Sequence, residues 1–247
     1  MSDRAAFLDR IRAEMGKTRG LGPVAVPPRP SHPREIAETL RRELAERWRE
    51  TLERFRIEFE RVAGVYHRVA TAGEVPDVIG AIAREREART VVAWHPAALG
   101  ADWSAALAAR GLETTIMPPT DIGPAPARQA LRDVIASADL GVTGADLVVA
   151  ETGSLVLLSG SGRPRSTSLL PPYHVAVFDR EVLVESLTQV GMFLEAWHDG
   201  EPAPWRGGVI NVITGPSRTA DIELTLTRGV HGPKEVHAIF VDGGVRD

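Results

Sequence analysis

The residues best suited to chemistry lie in a few polar segments, and the first surrounds Glu151. Glu151 stands in an Ala-Glu-Thr-Gly-Ser sequence between two apolar runs, residues 147–150 and 155–158. Short leucine-rich or β-branched runs separated by a polar turn are typical of paired buried strands. We therefore expect a carboxylate in a tight turn, which could act as a nucleophile or base, or could tie the loop to backbone N–H groups.

A glycine-rich segment, residues 160–166, follows the second run and reads Gly-Ser-Gly-Arg-Pro-Arg-Ser. It holds too much glycine for a helix, and it carries Arg163 and Arg165 together with several hydroxyl groups. Guanidinium groups bind carboxylates and phosphates through paired hydrogen bonds. The segment predicts an anion-binding loop in which either arginine could make the contact.

A third segment passes from an apolar strand at residues 209–213 into a predicted helix at residues 219–228. Ser217 or Thr219 could cap that helix. Its free N–H groups and dipole would attract an anion beside Arg218. The alternative for Arg218 is an ion pair within the domain.

Several ordered motifs together resemble the LUD-domain family and, within it, the lactate utilization protein C group. The resemblance covers residues 64–242. Its motifs are Ala-Asp-Leu-Gly-Val-Thr-Gly-Ala-Asp at 138–146, Ala-Glu-Thr-Gly-Ser at 150–154, Leu-Pro-Pro-Tyr-His-Val at 170–175, Thr-Gly-Pro-Ser-Arg-Thr-Ala-Asp-Ile-Glu at 214–223 and Gly-Val-His-Gly-Pro at 229–233.

The resemblance implies an α/β fold of the NagB/RpiA/CoA-transferase superfamily, with a mostly parallel Rossmann-like sheet and helices on both faces. It also implies a role in a three-protein system that oxidises L-lactate to pyruvate, in which the two larger partners carry cysteine-ligated iron–sulfur clusters. This chain would bind a small carboxylate or another anion, or organise the iron–sulfur partners, as a non-redox subunit. A sensor or assembly protein with a vestigial pocket is a further possibility.

The alternative is a superfamily enzyme that acts on an acyl-CoA or phosphosugar-type substrate, with Glu151 as nucleophile or base. The Ala-Glu-Thr-Gly sequence is similar to the Ser-Glu-Asn-Gly motif around the nucleophilic glutamate of some CoA transferases. Thr152 departs from that motif, which has asparagine at this position.

Composition narrows the classes of protein. The chain has 247 residues, 43% of them hydrophobic and 25% charged, which suits a soluble globular protein. It shows neither a membrane span nor an apolar signal region, so we expect a cytoplasmic location. A net charge of −4 gives no general attraction to nucleic acid.

Cofactor signals are lacking. The chain has no cysteine, so any cysteine-ligated iron–sulfur cluster belongs to partner proteins. The histidines lack the spacing of a metal site, and no Gly-x-Gly-x-x-Gly fingerprint follows the first predicted strand of the sheet. We expect no cofactor and no metal in this chain.

Two domains are predicted: a helical extension with a proline-rich linker at residues 1–63, and the α/β domain at residues 64–247. The extension contains a helix at 2–16 and a long amphipathic helix at 33–63. The long helix either packs on its own domain or forms an oligomer or partner interface through aromatic side chains such as Trp48. An exposed Trp48 would favour the interface.

Strand-like and helix-like segments alternate after residue 64, as in a parallel sheet with crossover helices. The predicted strands are residues 65–69, 90–94, 114–117, 147–150, 155–158, 175–178, 209–213 and 236–241, and the predicted helices are 74–87, 98–110, 126–138, 181–197 and 219–228.

Ligands of open α/β sheets gather beyond the carboxyl ends of the strands. We therefore expect residues 151–154, 162–166 and 214–221 to line one pocket. His174 and His231 could be general bases there, or could bind loop backbone. The candidate catalytic residue is Glu151, and the candidate ligand-binding residues are Thr152, Gly153, Ser154, Arg163, Arg165, Ser166, His174, Gly215, Ser217, Arg218 and Thr219.

Overall fold

The computed structural model describes residues 2–17, 30–119, 123, 125–200, 208–219 and 227–245. The chain divides into two compact units, residues 1–31 and 32–247. In the first unit, helix α1 (Ser2–Lys17) confirms the predicted helix and exposes Phe7, Leu8 and Ile11. Most of the predicted proline-rich linker, from Pro23 to Pro33, lies outside the described residues.

The second unit contains the remaining elements. Its helices are α2 (Pro33–Arg61), α3 (Val75–Glu85), α4 (Pro96–Leu99), α5 (Ser104–Ala108), α6 (Ala125–Ser137) and α7 (Leu187–Trp197). Its strands are β1 (Val65–Val69), β2 (Thr90–Ala93), β3 (Glu113–Ile116), β4 (Leu140–Gly144), β5 (Leu147–Val149), β6 (Ser154–Leu158), β7 (Tyr173–Phe178), β8 (Leu183–Val184), β9 (Ile210–Ile213), β10 (Arg218–Thr219), β11 (Thr227–Arg228) and β12 (Glu235–Val241).

A six-stranded parallel sheet in the order β1-β12-β7-β4-β2-β3 forms the centre of this unit. The chain leaves β2 toward β3 but leaves β4 toward β7, so its direction across the sheet reverses between β2 and β4. Val91 and Ala93 join the main core cluster, whereas Val92 packs with Ile135 of α6 on the opposite face. This alternation buries both faces of the sheet and confirms the predicted α/β class.

A second sheet in the order β8-β5-β6-β9 packs on the first. Leu155 and Leu157 of β6 join the main core, while Val156 and Leu158 pack with α7 and the first half of α2. Two buried faces explain why β6 is a continuous apolar run. The antiparallel pairing of β5 and β6 confirms the predicted strand pair around the Glu151 turn.

Helix α2 belongs to the core of this unit. Trp48 is 9% exposed and Phe55 is fully buried. The helix ends where Ala63 adopts φ +68° and the Gly64 N–H donates to the Phe59 carbonyl at 2.9 Å. The long helix therefore packs on its own domain, and the division between compact units falls at residue 31 rather than at the predicted residue 63.

Three helix predictions need correction. The predicted 98–110 helix is broken into α4 and α5, because Gly100 takes φ +89° and Asp102 accepts the Ser104 N–H at 2.9 Å. The predicted 181–197 helix begins only at Leu187, because residues 183–184 pair with β5 as strand β8.

The predicted 219–228 helix is wrong at both described ends. Arg218–Thr219 and Thr227–Arg228 pair as antiparallel strands, and residues 220–226 lie outside the described part. One of the two cross-strand pairs joins Thr219 to Thr227, and threonine favours a strand over a helix. Within the described residues, no helix has the length and apolar character needed to cross a bilayer.

Candidate functional site

A cavity of about 330 Å³ lies at the carboxyl ends of three central strands, β4, β7 and β12. This edge adjoins the reversal between β2 and β4, where open α/β sheets bind ligands. Its volume falls within the range of small-molecule sites. The cavity is lined by Ala98, Leu99, Gly144, Ala145, Val177, Phe178, Asp179, Arg180, Glu181, Val182, Gly243, Gly244 and Val245.

Gly144, Gly243 and Gly244 line the cavity without side chains. A Cβ atom at Gly144 would meet the Ala98 carbonyl oxygen at 3.6 Å, so a methyl group fits there and a larger side chain would project into the cavity. Gly244 adopts φ +95°, which glycine takes without strain.

Charged side chains line the cavity in the loop that follows β7, residues 179–182, here called the β7 loop. Asp179 accepts the N–H groups of Glu181 and Val245, each at 3.0 Å, and so ties this loop to the chain after β12. Arg180 keeps 55% of its side chain exposed and lies 3.4 Å from Glu181 in an ion pair. A partly exposed guanidinium in a weak ion pair is available to a carboxylate ligand.

The back of the β7 loop is fixed by α2. Arg41 donates to the Glu181 carbonyl oxygen, and its guanidinium lies 4.2 Å from the ring centroid of Phe193. Burial lowers the pKa of Arg41, and the nearby charges of Glu181 and Asp179 oppose that shift. Arg41 thus positions the loop that carries Arg180.

The segment at residues 160–166, here called the arginine loop, contacts residues just beyond the carboxyl ends of β2 and β4. The His95 N–H donates to the Gly162 carbonyl at 2.9 Å, and the Trp94 indole donates to the Pro164 carbonyl at 3.3 Å. Arg163 is buried in an ion pair with Asp146 and lies 4.9 Å from the centroid of the Trp94 ring. The loop is therefore closed against the sheet by its own polar groups.

The two arginines of this loop have different environments. Arg163 is 7% exposed and forms the buried ion pair, whereas Arg165 is exposed at the start of a short 3₁₀ helix, Arg165–Ser168. The Ser166 carbonyl accepts the N–H groups of Leu169 and Leu170 and closes that turn.

The Glu151 turn packs on the end of α2. Gly153 adopts φ +60°, and a Cβ there would lie 2.4 Å from the Phe59 nitrogen. Ser154 Oγ lies 2.7 Å from Thr152 Oγ1 and 2.6 Å from Thr214 Oγ1, which forms a chain of three hydroxyls.

Glu151 itself is exposed and interacts with α7. Its Oε2 accepts the Leu187 N–H at 3.0 Å, at the first residue of the helix. A carboxylate at a helix N-terminus binds free N–H groups and complements the dipole. The Glu151 carboxylate therefore holds its turn against one backbone N–H group of α7.

The structure brings together two of the three segments expected to share a pocket. Thr214 contacts the Glu151 turn because β9 runs antiparallel to β6, pairing Ile213 with Leu155. The arginine loop follows the other end of β6, about 13 Å away along a five-residue strand. The 330 Å³ cavity includes neither the turn nor this loop in its lining.

The third segment forms a turn and ribbon in place of the predicted cap. Ser217 Oγ accepts the His231 N–H at 3.3 Å, and the Ser217 carbonyl accepts the Gly229 N–H at 3.0 Å. Arg218 and Thr219 lie in β10, with Arg218 exposed. Gly215 takes φ +73° beside the Val62 carbonyl, at the end of α2. The described residues therefore place Arg218 in a strand and not at the predicted helix terminus.

The two candidate histidines lie in different environments. His174 is fully buried, with Nε2 2.8 Å from Thr143 Oγ1, and burial lowers its pKa to about 3, with a smaller contribution from His237. His231 is exposed on the β11–β12 connection. At neutral pH His174 is therefore an uncharged core residue.

Arg180, Gly243 and Gly244 of the cavity were missed by sequence reasoning. A lone arginine after a strand matches no motif, but the apolar run at 175–178 was predicted as a strand. Applying the rule for carboxyl ends to that strand would have indicated Asp179, Arg180 and Glu181.

A protein-family model and several curated proteins match this chain in sequence. The family model described as the LUD domain matches residues 52–241. A protein named Lactate utilization protein C from Halalkalibacterium halodurans is 47% identical over 42% of this chain and 45% of that protein. Its namesake from Shouchella clausii is 41% identical over 42% of this chain and 44% of that protein.

The matched segments thus span less than half the length of these curated relatives. A crystal structure of a DUF162 family protein from Deinococcus radiodurans covers 78% of this chain and 98% of that chain, with 19% identity and a TM-score of 0.49. The LUD family match alone covers well over half of the sequence. The chain belongs to the LUD domain family.

Proposed function

We propose that this protein is a component of a lactate-utilization system. The observation that carries the proposal is the 47% identity, over 107 residues, to a protein named Lactate utilization protein C. The LUD family match over residues 52–241 supports it.

The cavity at the carboxyl ends of β4, β7 and β12 is the proposed ligand site. Its position follows the general rule for open α/β sheets, and its ligand class is a small hydroxy- or keto-acid. Arg180 would bind the ligand carboxylate, since a guanidinium forms two parallel hydrogen bonds with that group. The apolar side chains of Leu99, Val177 and Val182 would surround the carbon skeleton.

Electron transfer is assigned to partner proteins. Oxidation of lactate to pyruvate releases two electrons, and a chain without cysteine offers no thiolate ligands for an iron–sulfur cluster. We therefore propose that iron–sulfur proteins carry the redox centres, while this chain binds the acid or organises those partners as a non-redox subunit.

Growth on L-lactate tests the role. A strain lacking this gene and any duplicate copy should fail to grow on L-lactate as sole carbon source, and the wild-type gene should restore growth. Equal growth on glucose is the control. Undiminished growth of the deletion strain on L-lactate would refute the role.

Thermal melting with L-lactate or pyruvate tests the site. A ligand at about 100 times its Kd adds about 2.7 kcal/mol to the unfolding free energy. The ligand-induced rise in Tm should disappear in Arg180→Ala and in Ala145→Leu, which places a larger side chain in the cavity lining. Ala108→Leu, at an exposed alanine of α5, should keep it. A rise retained in both cavity variants would place the ligand elsewhere.

A further inference from the structure

Strand β9 is an open, uncharged edge of the second sheet. The opposite edge, β8, is buried and contacts α2. The edge strands of the central sheet carry charge, with Arg68 in β1 and Glu113 in β3. Charged side chains and covering elements are the usual protection of sheet edges. Strand β9 has neither among the described residues.

Apolar side chains are exposed along this edge. Val209 and Ile210 are each 40% exposed, and Val212 is 52% exposed. In the register with β6, Ile210 lies opposite Leu158 and Val212 opposite Val156, both of which are buried in the cluster with α7. The exposed side chains of Ile210 and Val212 therefore continue the apolar face of β6 to the open edge of the sheet.

The backbone of β9 presents hydrogen-bonding groups to the same side. The Val209 carbonyl accepts the Ser159 N–H at 3.0 Å, so residue 209 faces β6. The N–H and C=O groups of successive residues point to opposite sides of a strand. The backbone groups of Asn211 therefore also face β6, while those of Ile210 and Val212 point outward. Across the described ranges, no strand pairs with this outer edge.

We propose that β9 pairs antiparallel with β9 of a second copy of this chain, about a two-fold axis at Asn211. Ile210 of each copy would then lie opposite Val212 of the other. Both residues direct their hydrogen-bonding groups outward, as such a pair requires.

The second copy is favoured over another partner by the character of the edge. Two uncharged edges can pair without burying an unpaired charge. In an antiparallel pair the Ile-Asn-Val sequence at 210–212 also places an isoleucine opposite a valine on both sides of Asn211. Because β8 is covered, each molecule offers this sheet one free edge among its described strands. The contact is isologous and closes at two copies.

Light scattering with size-exclusion chromatography tests the proposal on the full chain. Wild type should show the mass of two chains, with dissociation on dilution. Val212→Lys should halve the mass, because it places a charge in the paired edge. Val134→Lys, at an exposed valine of α6, should remain dimeric. Circular dichroism would confirm that both variants are folded.

A single cysteine tests the register, because the natural chain has none. Asn211 would face its own copy as a non-hydrogen-bonded pair, with Cα atoms about 4.5 Å apart, which suits a disulfide. Oxidised Asn211→Cys should run as a cross-linked dimer, and oxidised Val134→Cys should not. A monomeric wild type, a folded Val212→Lys dimer or the lack of a 211–211 cross-link would overturn the proposal.

Discussion

Two histidines in the central sheet are held uncharged by their surroundings. Burial lowers the pKa of His174 to about 3, and burial together with His67 lowers that of His237 to about 4. Glu235 accepts a hydrogen bond from His237 Nε2 at 3.3 Å. His237 Nδ1, left as an acceptor, then receives the hydrogen bond from His67 Nε2 at 3.1 Å. The neutral forms thus link β1 to β12.

Acid should destabilise the protein through these histidines. Their folded pKa values lie below the unfolded value of 6.5, so the unfolded chain binds more protons as the pH falls from 6.5 toward 4. Their contribution to stability is fully present above pH 6.5 and is lost below it. Each histidine contributes at most about 1.4 kcal/mol per pH unit to the slope of unfolding free energy against pH. Urea unfolding at several pH values in this window would measure it.

A substitution identifies the source of that slope. Gln in place of His174 can keep a hydrogen bond to Thr143 but does not titrate, so His174→Gln should flatten the dependence of unfolding free energy on pH. Gln in place of exposed His231 is the control for removing a histidine from the surface. An identical slope in His174→Gln and wild type would show that His174 is not responsible.

At the scale of elements, the Glu151 turn depends on a glycine that fits against α2. Gly153→Ala should cost about 2 to 5 kcal/mol, because it combines a strained positive φ with overlap against Phe59. Gly111 also has a positive φ, +79°, but no atom lies within 4 Å of the position that an alanine methyl group would take there.

Gly111→Ala should therefore cost only the backbone strain, about 1 to 2 kcal/mol. The difference between the two variants in chemical unfolding measures how tightly the turn packs on the helix. Equal losses at the two glycines would contradict that packing.

The ion pair between Arg163 and Asp146 should stabilise the crevice between β2 and β4. Removing one partner leaves a buried charge, so Arg163→Met or Asp146→Asn should cost about 3 to 5 kcal/mol. The double variant should lose less than the sum of the single losses. Urea unfolding of the four proteins measures this coupling, and strictly additive losses would show that the two side chains act independently.

Local patterns predicted most strands but not how they meet. Apolar runs such as residues 155–158 indicated their positions, because buried strands are continuous in hydrophobicity. The two-residue strand β8 is too short for any periodicity. Arg218 shows a different limit, since a glycine-proline turn followed by Ser217 and Thr219 is compatible with either a helix cap or a ribbon.

The prediction that three segments line one pocket depended on the directions of strands that are far apart in the sequence. The Glu151 turn and the arginine loop flank the same strand, β6, so they must lie at its two ends. Nothing in the spacing indicates that β6 leaves the central sheet and pairs with β5 and β9. That arrangement is fixed by contacts between distant segments.

At the scale of the whole molecule, α2 joins the two sheets. Its first half packs with α7 on the second sheet, and its second half packs on the central sheet. It also carries Arg41, which fixes the loop of Arg180. The carboxyl-edge cavity therefore depends on an element that the sequence patterns assigned to a separate extension.

Growth of the deletion strain on L-lactate, with variants expressed at equal and verified levels, tests whether the cavity is needed for lactate utilization. Ala145→Leu places a larger side chain in the cavity lining and should fail to restore growth. Ala108→Leu and Glu151→Gln, which lie outside the cavity, should restore it. Full growth with Ala145→Leu, or loss of growth with folded Glu151→Gln, would contradict the assignment of function to the cavity.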